Sequence, residues 1–183
     1  MRESADREVT KAREAPLWNL VDPGGIAEVG HEAVSQWRVP EADIAALLES
    51  GLPEKVTPRG YFFHAPQSGA APGVPISGGD YYGIGFFGRN RIAVESGSGV
   101  VYRFTSEGVG LLLNSSVCRY VECVWRWREV VPVMVGLANR VRGGGQDGFF
   151  EEKIREMVGC MSGTDPVAAN SDPFLWKNIV FDS

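Results

Sequence analysis

Several short clusters in this chain have the composition of chemical sites, and each demands a geometry that its neighbours either supply or deny. Gly83-Ile84-Gly85-Phe86-Phe87-Gly88 spells G-x-G-x-x-G, the fingerprint of a dinucleotide-binding turn. That chemistry needs a helix to begin there, so that its free N–H groups meet a pyrophosphate. Arg89-Asn90 and a second strand-like run follow instead, so the glycines read as strand and turn positions and no cofactor is expected. The two histidines, His31 and His64, have no cysteine or carboxylate at metal-ligand spacing, and no metal site is expected. A G-x-S-x-G nucleophile motif is absent. Aspartate and glutamate are plentiful, yet spacing alone pairs none of them, so no catalytic residue is assigned and carboxylate-pair chemistry stays open.

Two further clusters suit recognition better than catalysis. In Trp125-Arg126-Trp127-Arg128 the tryptophans lie about 200° apart on a helix, too far to share one core face. Either a helix end lets both pack inward, the ordinary outcome, or one is left at a boundary or on the surface beside an arginine. Trp and Arg are the residues most enriched in binding hot spots. In Asp80-Tyr81-Tyr82, alternation along a strand sends one tyrosine inward and the other outward, beside an acid and a flexible run. Asp80, Tyr81, Tyr82, Trp125 and Arg126 are therefore the candidate partner-binding residues.

The elements that would position these groups follow from period and punctuation. Residues 1–15 are polar and doubly charged, a tail or frayed helix, and 16–183 read as a single domain. A weak helical pattern covers about 26–37. Pro40 opens a clearer helix, with Ile44, Leu47 and Leu48 on one face, and Ser50-Gly51 closes it before Pro53. Tyr61-Phe62-Phe63 reads as a short strand, and residues 65–80 as a long loop rich in Pro, Gly, Ser and Ala. Tyr81–Phe87, Arg91–Glu95 and Val100–Thr105 then read as an antiparallel meander with short turns, to which Val109–Leu113 can add a strand.

At Asn114-Ser115-Ser116 the period changes from two to about three and a half. This tripeptide matches a glycosylation acceptor, but Met1 to Glu14 lacks the apolar stretch of a signal peptide, so it is expected to serve as a helix cap. Val117, Tyr120, Val121 and Val124 share a face. Arg128 falls near that face, so the helix is expected to end or bend there, with Pro132 in the first turn of a new segment. Gly143-Gly144-Gly145 breaks it, a helix runs from Phe149 to about 161, and a last short one carries Phe174, Leu175 and Trp176. Helices, an antiparallel sheet, then helices make an α+β fold.

Composition sets limits. Hydrophobic residues at 44% suffice for a core, and the formal charge of -5 disfavours direct nucleic-acid binding while suiting a basic protein partner. No run of about 18 apolar residues is present, so no membrane segment is expected. Cys118, Cys123 and Cys160 are odd in number and read as reduced thiols, which points to the cytoplasm.

Four segments, in order, resemble a known family. They are Val39-Pro40-Glu41 with Ser50-Gly51-Leu52-Pro53; Tyr82-Gly83-Ile84-Gly85 with Arg91–Glu95 and Gly99-Val100-Val101-Tyr102; Asn114-Ser115-Ser116; and Asp172-Pro173-Phe174-Leu175-Trp176. From about residue 39 to the end the chain resembles the SUKH superfamily of bacterial immunity proteins, specifically its fourth family. The resemblance implies a non-enzymatic α+β domain that neutralises a cognate toxin of a polymorphic toxin system by occluding its active site. It also implies a toxin of nuclease or nucleic-acid deaminase type, and such toxins tend to be basic. A regulatory or scaffold domain binding another protein is the alternative, and a small-molecule enzyme a third.

Overall fold

The computed structural model describes residues 2–27, 31–54, 80–87, 90–142 and 148–171. Tyr61–Phe63, the loop up to residue 79, Gly143–Gly145 and the Phe174–Trp176 helix lie outside them. The chain opens with a helix, α1 (Arg2–Glu14), whose Ala5, Val9 and Ala12 are buried. Their spacing of four and three makes one narrow apolar stripe on an otherwise charged cylinder. Two single 3-10 turns follow, Leu17–Asn19 and Pro23–Gly25, and the Asp22 carboxylate caps the second by accepting the Gly24 N–H at 3.1 Å.

α2 is one turn, His31–Val34, shorter than the 26–37 pattern suggests. α3 (Glu41–Glu49) starts after Pro40 and stops at Ser50-Gly51 as expected. Gly51 has φ +59°, and a Cβ there would stand 2.4 Å from Ile26 Cγ2, so both conformation and space demand glycine.

The sheet is a four-stranded antiparallel meander, β1 (Tyr81–Phe87), β2 (Asn90–Glu95), β3 (Val101–Phe104) and β4 (Gly110–Asn114), in that spatial order. Bulges at Gly83/Gly85 and Val101/Tyr102 break the register. Ile84, Ile92, Val94, Val101 and Leu113 point into one core with the helices. β1 continues through the glycines of the G-x-G-x-x-G run, so no helix N-terminus is available there for a pyrophosphate.

One helix, α4 (Val117–Arg142), replaces the two segments expected around Arg128. α1, α3, α5 (Gly148–Thr164), β4 and the first 3-10 turn all touch it, so it is buried from opposite sides. That is why Trp125 and Trp127, about 200° apart, both have no exposure. No helix end is needed. Arg128 also stays in the helix, its guanidinium 5.0 Å from the Trp125 ring centroid and 2.9 Å from Asp22. Pro132 sits within the helix on its exposed side, where the Arg128 carbonyl it leaves unbonded can reach water. α6 (Pro166–Ser171) completes the described elements.

Two buried aspartates clamp the junction between β4 and α4. Asp43 of α3 accepts the Cys118 N–H at 2.7 Å, an acid at the positive end of α4, while Ser116 Oγ accepts the Arg119 N–H at 3.2 Å. Asp165 accepts from the Asn114 side chain at 3.0 Å and from the Ser115 N–H at 2.7 Å, and its second oxygen takes the Val167 N–H at the start of α6. On the opposite side Lys153 pairs with Asp6 at 2.6 Å and Glu156 at 2.7 Å, joining α5 to α1. Burial lowers that ammonium's pKa, but its hydrogen bonds to the two carboxylates outweigh this and hold the group above its ordinary value.

Candidate partner-binding face

Residues opposite one another in an antiparallel pair point to the same side, so the register sorts the sheet into two faces. Tyr82, Val94 and Val101 are in line across β1, β2 and β3 and face the helices. Tyr81 with Glu95, then Gly83 with Ala93, Tyr102 and Leu112, then Phe86 with Arg91, Phe104 and Gly110, face the other way. Ala93 and Phe104 are buried yet belong to no part of the main core cluster, which agrees with that assignment.

An outward sheet face normally alternates to polar residues. This one is aromatic. The Tyr81 ring stands edge-on to Tyr102 at 5.9 Å and to Phe104 at 5.0 Å between centroids, and Tyr102 and Phe104 are 6.0 Å apart. Such tilted pairs are each favourable by about 0.5–1.5 kcal/mol beyond burial. Phe104 also lies against Gly110 of the neighbouring strand, where a Cβ would be 2.8 Å from the ring, so the glycine makes room for it. Phe86 at 45% exposure and Leu112 at 36% extend the apolar surface to both edge strands. Glu95 and Arg91 mark its two ends along β2. Burial, and then the charge of Glu95, raises the phenol pKa values of Tyr81 and Tyr102.

The five residues singled out in the sequence separate in space. Asp80 is exposed, immediately before β1, and pairs with Arg38 at 2.9 Å. Tyr81 stands on the aromatic face. Tyr82 turns inward, stacked on Trp37 at 4.6 Å and 6°, its hydroxyl accepting the Arg38 backbone N–H at 3.1 Å. Trp125 is wholly buried and donates its indole N–H to the Gly51 carbonyl at 3.0 Å. Arg126 reaches the carbonyl ends of α1, bonding Ala12 at 2.5 Å and Ala15 at 3.1 Å, and grips Glu122 at 2.6 and 3.0 Å. The Trp-Arg pair thus holds helices together, and both tryptophans pack inward because α4 is enclosed on both sides rather than because a helix end turns one of them.

Phe86, Glu95, Tyr102, Phe104 and Leu112 had not been singled out. Tyr102 and Phe104 are two apart, a signal that they share a face, but which face is set by strand pairing. Trp18, at 77% exposure, is another large apolar side chain on the surface, carried by the 3-10 turn at Leu17–Asn19, which packs beside α4.

Other chemistry is sparse. A cleft of about 450 Å³ between α1, α4 and α5 is lined by Arg13, Arg119, Glu122, Arg126, Glu156 and Cys160 among others. Its arginines are already paired with acids: Arg13 with Glu14, and Arg119 and Arg126 with Glu122. Cys118, Cys123 and Cys160 are free thiols, and burial raises the pKa of each. Among the described residues no group of three His, Cys, Asp or Glu is placed to hold a metal ion, and no helix is long and apolar enough to cross a membrane.

The profile of the SUKH-4 immunity protein family matches residues 12–183. The chain belongs to the SUKH-4 immunity protein family. The match covers nearly all of the chain and confirms the resemblance carried by the "GLP", meander and "NSS" segments. No curated protein and no solved structure matches it. Family membership points to an immunity protein that acts against a toxin.

Proposed function

We propose that this SUKH-4 protein binds its cognate toxin through the outer face of the β1–β4 sheet and neutralises it by covering the toxin's active site, without catalysis. The observation that carries the proposal is the aromatic character of that face: Tyr81, Phe86, Tyr102, Phe104 and Leu112 stand together where polar residues are the norm. Tyrosine and phenylalanine are enriched in interface cores, which are depleted of charge, and charged residues such as Asp80 and Arg91 suit the rim. A net charge of -5 matches a basic toxin of the nuclease or nucleic-acid deaminase kind and would speed its encounter by steering. On this reading the protein acts in the bacterial cytoplasm, where such a toxin meets its target.

Co-expression provides the test. The toxin domain encoded beside this gene is induced in a bacterial host with and without the protein, and growth is followed. Rescue accompanied by a co-purifying complex supports immunity by binding. Continued arrest despite abundant folded protein rules the proposal out. Association rate should also fall as salt rises, because surface charges separated by more than about 8 Å are screened at physiological ionic strength.

A further inference from the structure

The outer face ends in a carboxylate that the fold orients but does not neutralise. Glu95 stands opposite Tyr81 in the β1–β2 register, at the end of β2 next to the turn that leads to β3. Its Oε2 accepts the Ser98 hydroxyl at 2.6 Å, and the same Ser98 oxygen accepts the Val100 N–H at 3.2 Å, so the turn itself fixes the carboxylate. Among the described residues no arginine pairs with it. Arg38 pairs with Asp80, and Arg91 is four residues along the same strand, about 13 Å away at 3.3 Å per residue. Two phenol rings flank the group, those of Tyr81 and Tyr102, which meet edge to face. Asp80, one residue before Tyr81, is neutralised by Arg38, and its carbonyl accepts the Ser96 N–H at 2.9 Å, which ties the start of β1 to the turn.

An oriented carboxylate beside electron-rich ring faces has a definite complement. The quadrupole of each tyrosine attracts a cation over its face, and a carboxylate accepts two parallel N–H groups from one planar donor. A guanidinium satisfies both demands, is weakly hydrated and stays charged, so it enters a partly apolar interface more readily than an ammonium. Resting on the immunity reading above, we propose that Glu95, Tyr81 and Tyr102 receive an arginine side chain of the toxin, which anchors the complex at the Asp80 end of the sheet. Phe86 and Leu112, both exposed, then contact the apolar surface around that arginine.

The experiment is isothermal titration of the toxin domain encoded beside this gene into purified wild type, Glu95→Gln, Tyr102→Leu and Glu3→Gln. Glu3 is an exposed acid on α1, which packs on α4 and α5, so its variant changes net charge equally without touching the sheet. Glu95→Gln should weaken binding about tenfold or more, since a desolvated charge pair is broken while its partner stays buried. Tyr102→Leu should weaken it as well, and Glu3→Gln should stay within about twofold, as a remote surface charge does. Melting temperatures of Glu95→Gln and Glu3→Gln should match wild type. If wild type binds and Glu95→Gln binds within about twofold of it, the arginine site is wrong while immunity stands. Equal losses in Glu95→Gln and Glu3→Gln also overturn it, as an effect of overall charge. Failure of wild type to bind overturns the immunity reading and this one together.

Discussion

Arg126 offers the sharpest test of whether the Trp-Arg segment serves the fold or the surface. Its side chain is 11% exposed and makes bonds to three places at once. Nη1 takes the Ala12 and Ala15 carbonyls at the C-terminal end of α1, and Nε and Nη2 take Glu122. Arg126→Met keeps much of the apolar stem and deletes the guanidinium. Two helix-end carbonyls then lose a charged donor, each worth about 1 kcal/mol when only partly buried. Glu122 loses two donors to its Oε1 but keeps Arg119 at 3.6 Å, so a further cost of about 1 kcal/mol is reasonable. The sum, about 3 kcal/mol, is a large share of the 5–15 kcal/mol available to a domain. Urea denaturation should show a lower midpoint with an unchanged slope, and Arg126→Lys should fall between, since an ammonium cannot span all three sites. A loss below about 1 kcal/mol would refute this reasoning, because that is the range of an ordinary surface substitution. So would unchanged stability coupled to weaker toxin binding, which would return Arg126 to the interface.

Further expectations concern other points of the fold. Gly99 has φ +74°, and a Cβ there would stand 2.1 Å from Asp43 Oδ2, so Gly99→Ala should cost more than about 2 kcal/mol of unfolding free energy, against the few tenths typical of an exposed turn. Burial raises the pKa of Asp43 above its ordinary value against the opposing pull of the Cys118 and Val117 N–H groups. The folded chain therefore holds that proton more tightly than the unfolded one, and its contribution to stability is full below about pH 4 and is lost as pH rises through the folded value. Asp43→Asn does not titrate, so wild type should lose stability relative to it as pH rises from about 4 in parallel thermal melts, and a constant difference would contradict the assignment. Trp18→Ala should leave toxin affinity within about twofold, since a lone exposed apolar side chain is ordinary on a surface. A loss near tenfold by titration would move the interface to the Leu17–Asn19 turn.

How much of this was legible depended on whether the deciding force is local. The meander was, because period-two alternation and Gly/Ser turns are written in consecutive residues, and so was α3, bounded by Pro40 and Gly51. The continuity of α4 was not. Arg128 looked like an intruder on a buried face until its reach across Trp125 to Asp22 was known, and no residue near it signals that α1 and α5 enclose the far side. α1 hides its packing in two alanines and a valine among charges. The start of α6 did carry a local signal that was passed over, Asp165 as cap with Pro166 after it. For the binding face, the sequence predicts that one of Tyr81 and Tyr82 faces outward. Only the strand register brings Tyr102, Phe104, Phe86 and Leu112 around Tyr81.

The central claim, that the outer face of the sheet holds the toxin, is tested most directly by one affinity comparison. Wild type and the triple variant Phe86→Ala/Tyr102→Ala/Leu112→Ala are titrated with the toxin domain encoded beside this gene, after circular dichroism shows that both are folded. The account predicts a loss of about 2 kcal/mol or more, roughly thirtyfold in Kd, because these side chains form the apolar centre of the contact. A folded triple variant that binds as tightly as wild type would contradict it.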